Sequence, residues 1–138
     1  MENLKSIKSL LKLQNWKVDE KRREVGMWES KRAKCIDYIE QLDRQVAAEK
    51  EAFDNTVVGA DFGTFLKGVK KRQEDTWKKI EKIDQEIDAL KDQLAELFQE
   101  LKQYEIVLEQ RLKRLSDEEK KREQEFLDEI GLNLHLRK

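Results

Sequence analysis

The chain has 138 residues, 43% of them charged and 38% apolar, with no proline and a formal net charge of −1. That length allows one domain; the charge content is well above the usual quarter, and with so few apolar residues a thick, two-layer core is not expected. A near-neutral balance with strictly placed apolar residues argues against disorder and gives no electrostatic footprint for nucleic-acid binding.

The opening stretch, MENLKSIKSLLKLQNW, is interrupted by Lys5, Lys8 and Lys12. It has neither the apolar run nor the small-residue cleavage site of a signal peptide. From Leu4 a 3-4-3-4 ladder falls on Leu4, Ile7, Leu11, Gln14, Val18, Lys21, Val25, Trp28, Arg32, Cys35, Ile39, Leu42, Val46, Glu49 and Phe53. Eleven of these fifteen are apolar, far above the chain's average, so the spacing predicts a helix over about 3–54 with a heptad seam. Within VDEKRREV, Val18 and Val25 stand one heptad apart, and most charges between them point away from the seam. Lys21-Arg22-Arg23 therefore reads as a wet face opposed to an acidic helix rather than as a nucleic-acid patch. Gln14, Lys21, Arg32 and Glu49 are polar seam positions, a pattern that sets register at a cost in stability. Cys35 is the sole cysteine, so no internal disulfide forms, and a reducing cytoplasm is the expected home.

The ladder stops at DNTVVGAD. Asp54, Asn55 and Gly59 are turn formers, and Asp61 is placed to cap a new helix, which predicts a bend over about 55–61. A second ladder follows on Phe62, Leu66, Val69, Gln73, Thr76, Ile80, Ile83, Ile87, Leu90, Leu94, Leu97, Leu101, Tyr104 and Leu108, twelve of fourteen apolar. Leu112 and Leu115 come next, so 104, 108 and 112 make two four-residue steps in a row, a stutter. The charged stretch LSDEEKKREQE has almost no stripe, Phe126, Leu127 and Ile130 resume it weakly, and Gly131 is a candidate C-cap. The second helix is expected over about 62–131.

Two long helices and a short bend predict an all-α antiparallel coiled-coil hairpin, the second helix longer and protruding at its C-terminus. With the bend centred near Val57 and Val58, opposed residues have numbers summing to about 115. Residues 5–34 hold ten Lys/Arg and four Asp/Glu, and their partners 81–110 hold three and nine. Nearer the bend the signs reverse: 66–80 has six basic and two acidic residues, 35–49 one and four. Exposed pairs are individually weak, ~0–1 kcal/mol, but the pattern opposes other orientations. The rule sets Trp16 near Phe98 and Tyr38 near Trp77, where aromatics would widen the core. It also sets Leu4 opposite position 111, so the last 25 or so residues should project by about 35 Å and take order from a partner.

No catalytic constellation is visible. His135 is the only histidine and Cys35 lies a hundred residues from it, so neither a nucleophilic dyad nor a Cys/His metal site is supported. No glycine spacing suits a phosphate loop. We expect no enzyme activity, cofactor, metal or small-molecule substrate. Two places call for partners instead. Leu10 and Leu13 lie beside the seam and make the first turns apolar over more than one stripe. Phe53, Val57, Val58, Phe62 and Phe65 cluster at the bend.

Three stretches, LLKLQNWKVDEKRREV, AELFQELKQYE and REQEFLDEIGLNLHLRK, resemble the FliJ family, the small coiled-coil component of the flagellar type III export apparatus, in its alphaproteobacterial branch. The resemblance implies a non-enzymatic hairpin whose paired termini enter the ring of the export ATPase and stimulate it. It further implies contact with the export gate membrane protein, binding of export chaperones, and a cytoplasmic location peripheral to the inner membrane. It assigns Leu4, Ile7, Leu10, Leu13, Arg22, Arg23, Phe126, Leu127, Asp128 and Ile130 to the ATPase, and Tyr38, Leu42, Phe65 and Val69 to the gate. The alternative is a coiled-coil adaptor or chaperone of another secretion or scaffolding system, without ATPase regulation.

Overall fold

The computed structural model describes the backbone of residues 2–54 and 61–137 and the side chains of 4–53 and 61–137. The chain is an all-α helical hairpin of two helices, α1 (Glu2–Asp54) and α2 (Phe62–Leu136), packed against each other. The expected bend, with Val57, Val58 and Gly59, lies outside the described residues except for Asp61. The carbonyl of Asp61 accepts the Phe65 N–H at 3.0 Å, the first hydrogen bond of α2. The chain divides into two compact units, Asp19–Ala95 in one and Met1–Val18 with Glu96–Lys138 in the other.

In the unit Asp19–Ala95 the seam is the core. Val25, Ile39 and Leu42 of α1 are buried, as are Val69, Ile80, Ile83, Ile87 and Leu90 of α2. β-Branched residues dominate, and in a helix their single preferred χ1 rotamer makes them stiff seam residues. Thr76 is buried too, and its hydroxyl donates to the Arg72 carbonyl one turn back at 2.7 Å, so that oxygen is not stranded. Toward the bend, Phe53, Phe62 and Phe65 are half-buried; ring centroids lie 5.3 Å apart for the first pair and 6.4 Å for the second.

The terminal unit is thinner. Ile7, Gln14 and Val18 are buried in α1. Leu4 and Leu11, with Leu97, Leu101, Tyr104, Leu108 and Arg111 of α2, are half-buried. Past Arg111 every described residue is exposed, through Arg137. Leu112 and Leu115 remain 45% and 42% exposed. The stutter thus falls where α1 has run out, and its leucines have no surface to cover them.

Three expectations are corrected. α2 continues through Gly131 to Leu136, because no described glycine takes the left-handed conformation that a C-cap needs. The following leucines are good helix formers, so nothing stops the helix there. Glu49 is exposed, the one described ladder position of α1 that the seam excludes, so it sets no register. Trp16, Tyr38, Trp77 and Phe98 are 38–58% exposed and do not widen the core. A seam of two helices has no third element to bury flanking rings.

Leu42 is 2% exposed, and truncating it to alanine is expected to cost about 2–5 kcal/mol. Leu112→Ala and Leu115→Ala should stay within about 0.5 kcal/mol, as exposed substitutions do. Urea unfolding followed by helical ellipticity checks the contrast. Gly68 lies inside α2 with open space where a Cβ would sit, so Gly68→Ala should stabilise the chain by up to about 1 kcal/mol in the same assay.

Candidate interaction surface

The apolar residues left outside the seam are unevenly distributed. Of seventeen large hydrophobic side chains exposed among the described residues, fourteen belong to the terminal unit. Only Met27, Tyr38 and Trp77 belong to the other. In α1 the excess comes from Leu10, Leu13 and Trp16, and Leu10 and Leu13 line an open groove with Lys5, Ser6 and Ser9. In α2 it comes from Phe98, Ile106, Val107, Leu112, Leu115 and six residues of the last turns. Phe126, Ile130 and Leu134 repeat every four residues, with Leu127 beside them, and Leu132 and Leu136 repeat likewise on another side. The end of α2 is therefore apolar on two sides while exposed throughout, which a helix in water does not favour without a partner.

The sequence-derived candidates fall out as follows. Leu4 is half-buried and Ile7 buried, so these two support the seam, whereas Leu10 and Leu13 are 43% and 48% exposed. Phe126, Leu127 and Ile130 are exposed, and the exposed Asp128 accepts a hydrogen bond from Gln124 Nε2 at 3.0 Å. All eight belong to the terminal unit. Arg22 and Arg23 belong to the other unit; both are exposed, and Arg23 pairs with Glu20 of its own helix at 2.5 Å. Of the gate candidates, Tyr38 is exposed and Phe65 half-buried. Leu42 and Val69 are only 2% exposed each, and offer nothing to a partner while the seam is closed. Sequence reasoning passed over Ile106, Val107, Leu132, Leu134 and Leu136. The last three were legible as LNLHL, but the helix was expected to have ended before them.

Polar contacts join the helices across the seam in each unit. Lys21 Nζ donates to Gln93 at 2.9 Å and lies 3.5 Å from Glu24 of its own helix. Arg32 pairs with Asp84 at 2.7 Å, and Lys91 lies 4.0 Å from Glu29. Arg32–Asp84 joins the basic stretch of α1 to the acidic stretch of α2, whereas Lys91–Glu29 joins an acid of α1 to a base of α2. Gln14 and Gln73 cross the seam as well, and each reaches both a main-chain carbonyl and a carboxylate of the opposite helix. Among the described residues no group of three or more His, Cys, Asp or Glu is placed to hold a metal ion, and no helix is long and apolar enough to cross a membrane. No family model, curated protein or solved structure matches the chain significantly.

Both members of the Arg32–Asp84 pair are over two-fifths exposed, so solvent screening keeps the pair weak. A double-mutant cycle through Arg32→Ala and Asp84→Ala should return a coupling below about 1 kcal/mol. That coupling should shrink further as salt is raised.

Proposed function

We propose that the chain is a non-enzymatic stalk and adaptor of the flagellar type III export apparatus, binding and stimulating the export ATPase ring and linking it to the export gate membrane protein and to export chaperones. The observation that carries this reading is the exposed end of α2, residues 112–136, apolar on two sides and lying in one unit with the exposed Leu10 and Leu13. A long, charged, two-stranded end with an unsatisfied apolar foot suits the lumen of a ring. Leu10, Leu13, Phe126, Leu127, Asp128 and Ile130 would touch the ring, with Leu4 and Ile7 holding the first turn in place and Arg22 and Arg23 adding charge. A single hairpin in a symmetric ring cannot touch all subunits alike, so its contacts favour different states in different subunits. Tyr38 and Phe65 are the gate candidates that present surface. The chain would act on the cytoplasmic face of the inner membrane without spanning it.

The resemblance in LLKLQNWKVDEKRREV, AELFQELKQYE and REQEFLDEIGLNLHLRK supplies the identity of the partner, and the exposed foot supports the kind of contact. The second reading, an adaptor or chaperone of another secretion or scaffolding system, would use the same foot on a different protein.

The test is ATP hydrolysis by the cognate export ATPase, with and without the chain, at a concentration where the ring is partly assembled. A marked rise that disappears when residues 113–138 are removed is expected. No rise, with both proteins folded, would favour the second reading. The double reversal Arg22→Glu, Arg23→Glu should change folding stability by less than about 1 kcal/mol, as exposed charges do, and should lower the stimulation.

A further inference from the structure

An apolar heptad seam is a poor judge of its own register. Ile80 and Ile87 repeat at seven residues, as do Ile83 and Leu90, and on α1 Val18 and Val25 do the same. Sliding one helix by a heptad returns most apolar seam residues to apolar residues. The longer pair of charge blocks, 5–34 and 81–110, spans thirty residues and stays mostly opposed after a slide of seven, while the shorter pair, 35–49 and 66–80, spans fifteen and keeps about half.

Gln14 and Gln73 discriminate where the apolar seam does not. Gln14 is only 2% exposed, and its Nε2 donates to the Leu97 main-chain carbonyl at 3.0 Å and to Glu100 Oε2 at 2.9 Å. Gln73, on the opposite helix and in the other unit, is half-buried. Its Nε2 donates to the Ile39 carbonyl at 3.2 Å and to Asp43 Oδ1 at 2.7 Å. The two sites have the same plan. An amide carries two hydrogens, one for a carbonyl lone pair that the helix leaves over and one for a carboxylate a turn further on.

That plan survives in one register only. A slide of one heptad would set Gln14 against Leu90 and Gln93, or against Tyr104 and Val107. It would set Gln73 against Arg32 and Ile36, or against Val46 and Lys50. None of these four alternatives supplies a carboxylate, and each leaves an inward amide hydrogen without its charged acceptor.

We propose that Gln14 with Glu100 and Gln73 with Asp43 are the two brackets that hold the hairpin in its one register, and that without them the helices slide by a heptad. This does not depend on which partner the chain serves. It makes the seam a track with two stops, one in each unit. A partner that draws off the carboxylates of Glu100 and Asp43 would release both.

The experiment is double electron–electron resonance on the full chain. Nitroxides are placed at Asp37→Cys on α1 and Asp88→Cys on α2, both exposed, with Cys35→Ala to remove the native thiol. The labels are offset along the pair, so a heptad slide changes their separation by up to about 10 Å. The parent should give one distance. Gln14→Leu with Gln73→Leu should stay helical, melt higher, and add a second distance displaced by roughly that amount. Glu100→Ala with Asp43→Ala, which spares both amides, should add the same second distance at lower population. A single parental distance in both double variants would overturn the proposal. Loss of helicity in the leucine variant would overturn it too, because the glutamines would then be holding the fold rather than choosing its register.

Discussion

The apolar seam is the constraint from which the rest of the molecule follows, and its narrowness matters as much as its length. Each helix contributes one stripe, so about one residue in three or four is covered and the flanks stay wet. Val25, Ile39 and Leu42 face Val69, Ile80, Ile83, Ile87 and Leu90 in one unit. In the terminal unit burial dwindles to Ile7, Gln14 and Val18. A core of that kind is strong in aggregate and weak in specification, because heptads repeat. Specification has to come from polar groups that are costly to misplace, and the crossing glutamines have that character. The ion pairs at Arg32 and Lys91 are too exposed to carry it alone.

The same narrowness shapes what the chain offers to others. A two-helix end cannot bury Leu10, Leu13, Ile106 or Val107, and a lone helix past Arg111 can bury nothing. Isolated helices are marginal in water, and most helical stability in proteins comes from packing an apolar face. The last turns of α2 keep six large apolar side chains in solvent, where a sequence selected only for a soluble spacer would carry lysine and glutamate. The proposed insertion into an ATPase ring gives those residues a surface and gives the charged stretch before them, 113–125, a polar environment. The bend end is different. Its phenylalanines are half-buried against one another, so less of that cluster is left for a partner than its composition suggests.

Most of the fold was legible in the sequence. The two 3-4 ladders name the described seam residues, with Glu49 as the exception, and the summed numbering of opposed residues recurs in the crossing contacts. Gln14 with Glu100, Lys21 with Gln93, and Arg32 with Asp84 sum to within a residue of 115. A hairpin's register is one number, and it came from the position of the bend, which periodicity and charge alone leave open. What failed, failed for local reasons. Glycine is the usual helix stop, but Gly131 takes a helical conformation and the leucines after it extend α2. The aromatics were given burial that only a third helix could supply. The candidate surface was half legible: Leu10, Leu13, Phe126, Leu127 and Ile130 stood out, whereas Leu42 and Val69 stand on the seam ladders and were partner candidates through the resemblance alone. The glutamine brackets needed coordinates, since which carboxylate stands a turn beyond a given carbonyl depends on a register that the ladders alone leave nearly degenerate.

Hydrogen–deuterium exchange of the full chain, alone and with the export ATPase, tests the central claim most directly. The account predicts fast exchange over 112–136 in the free chain and slow exchange over the seam of 19–95. On adding the ATPase, protection should rise over 112–136 and the first turns of α1, with 19–95 little changed. Protection rising near the bend instead, with 112–136 still exchanging freely, would contradict the assignment of the terminal unit as the contact surface.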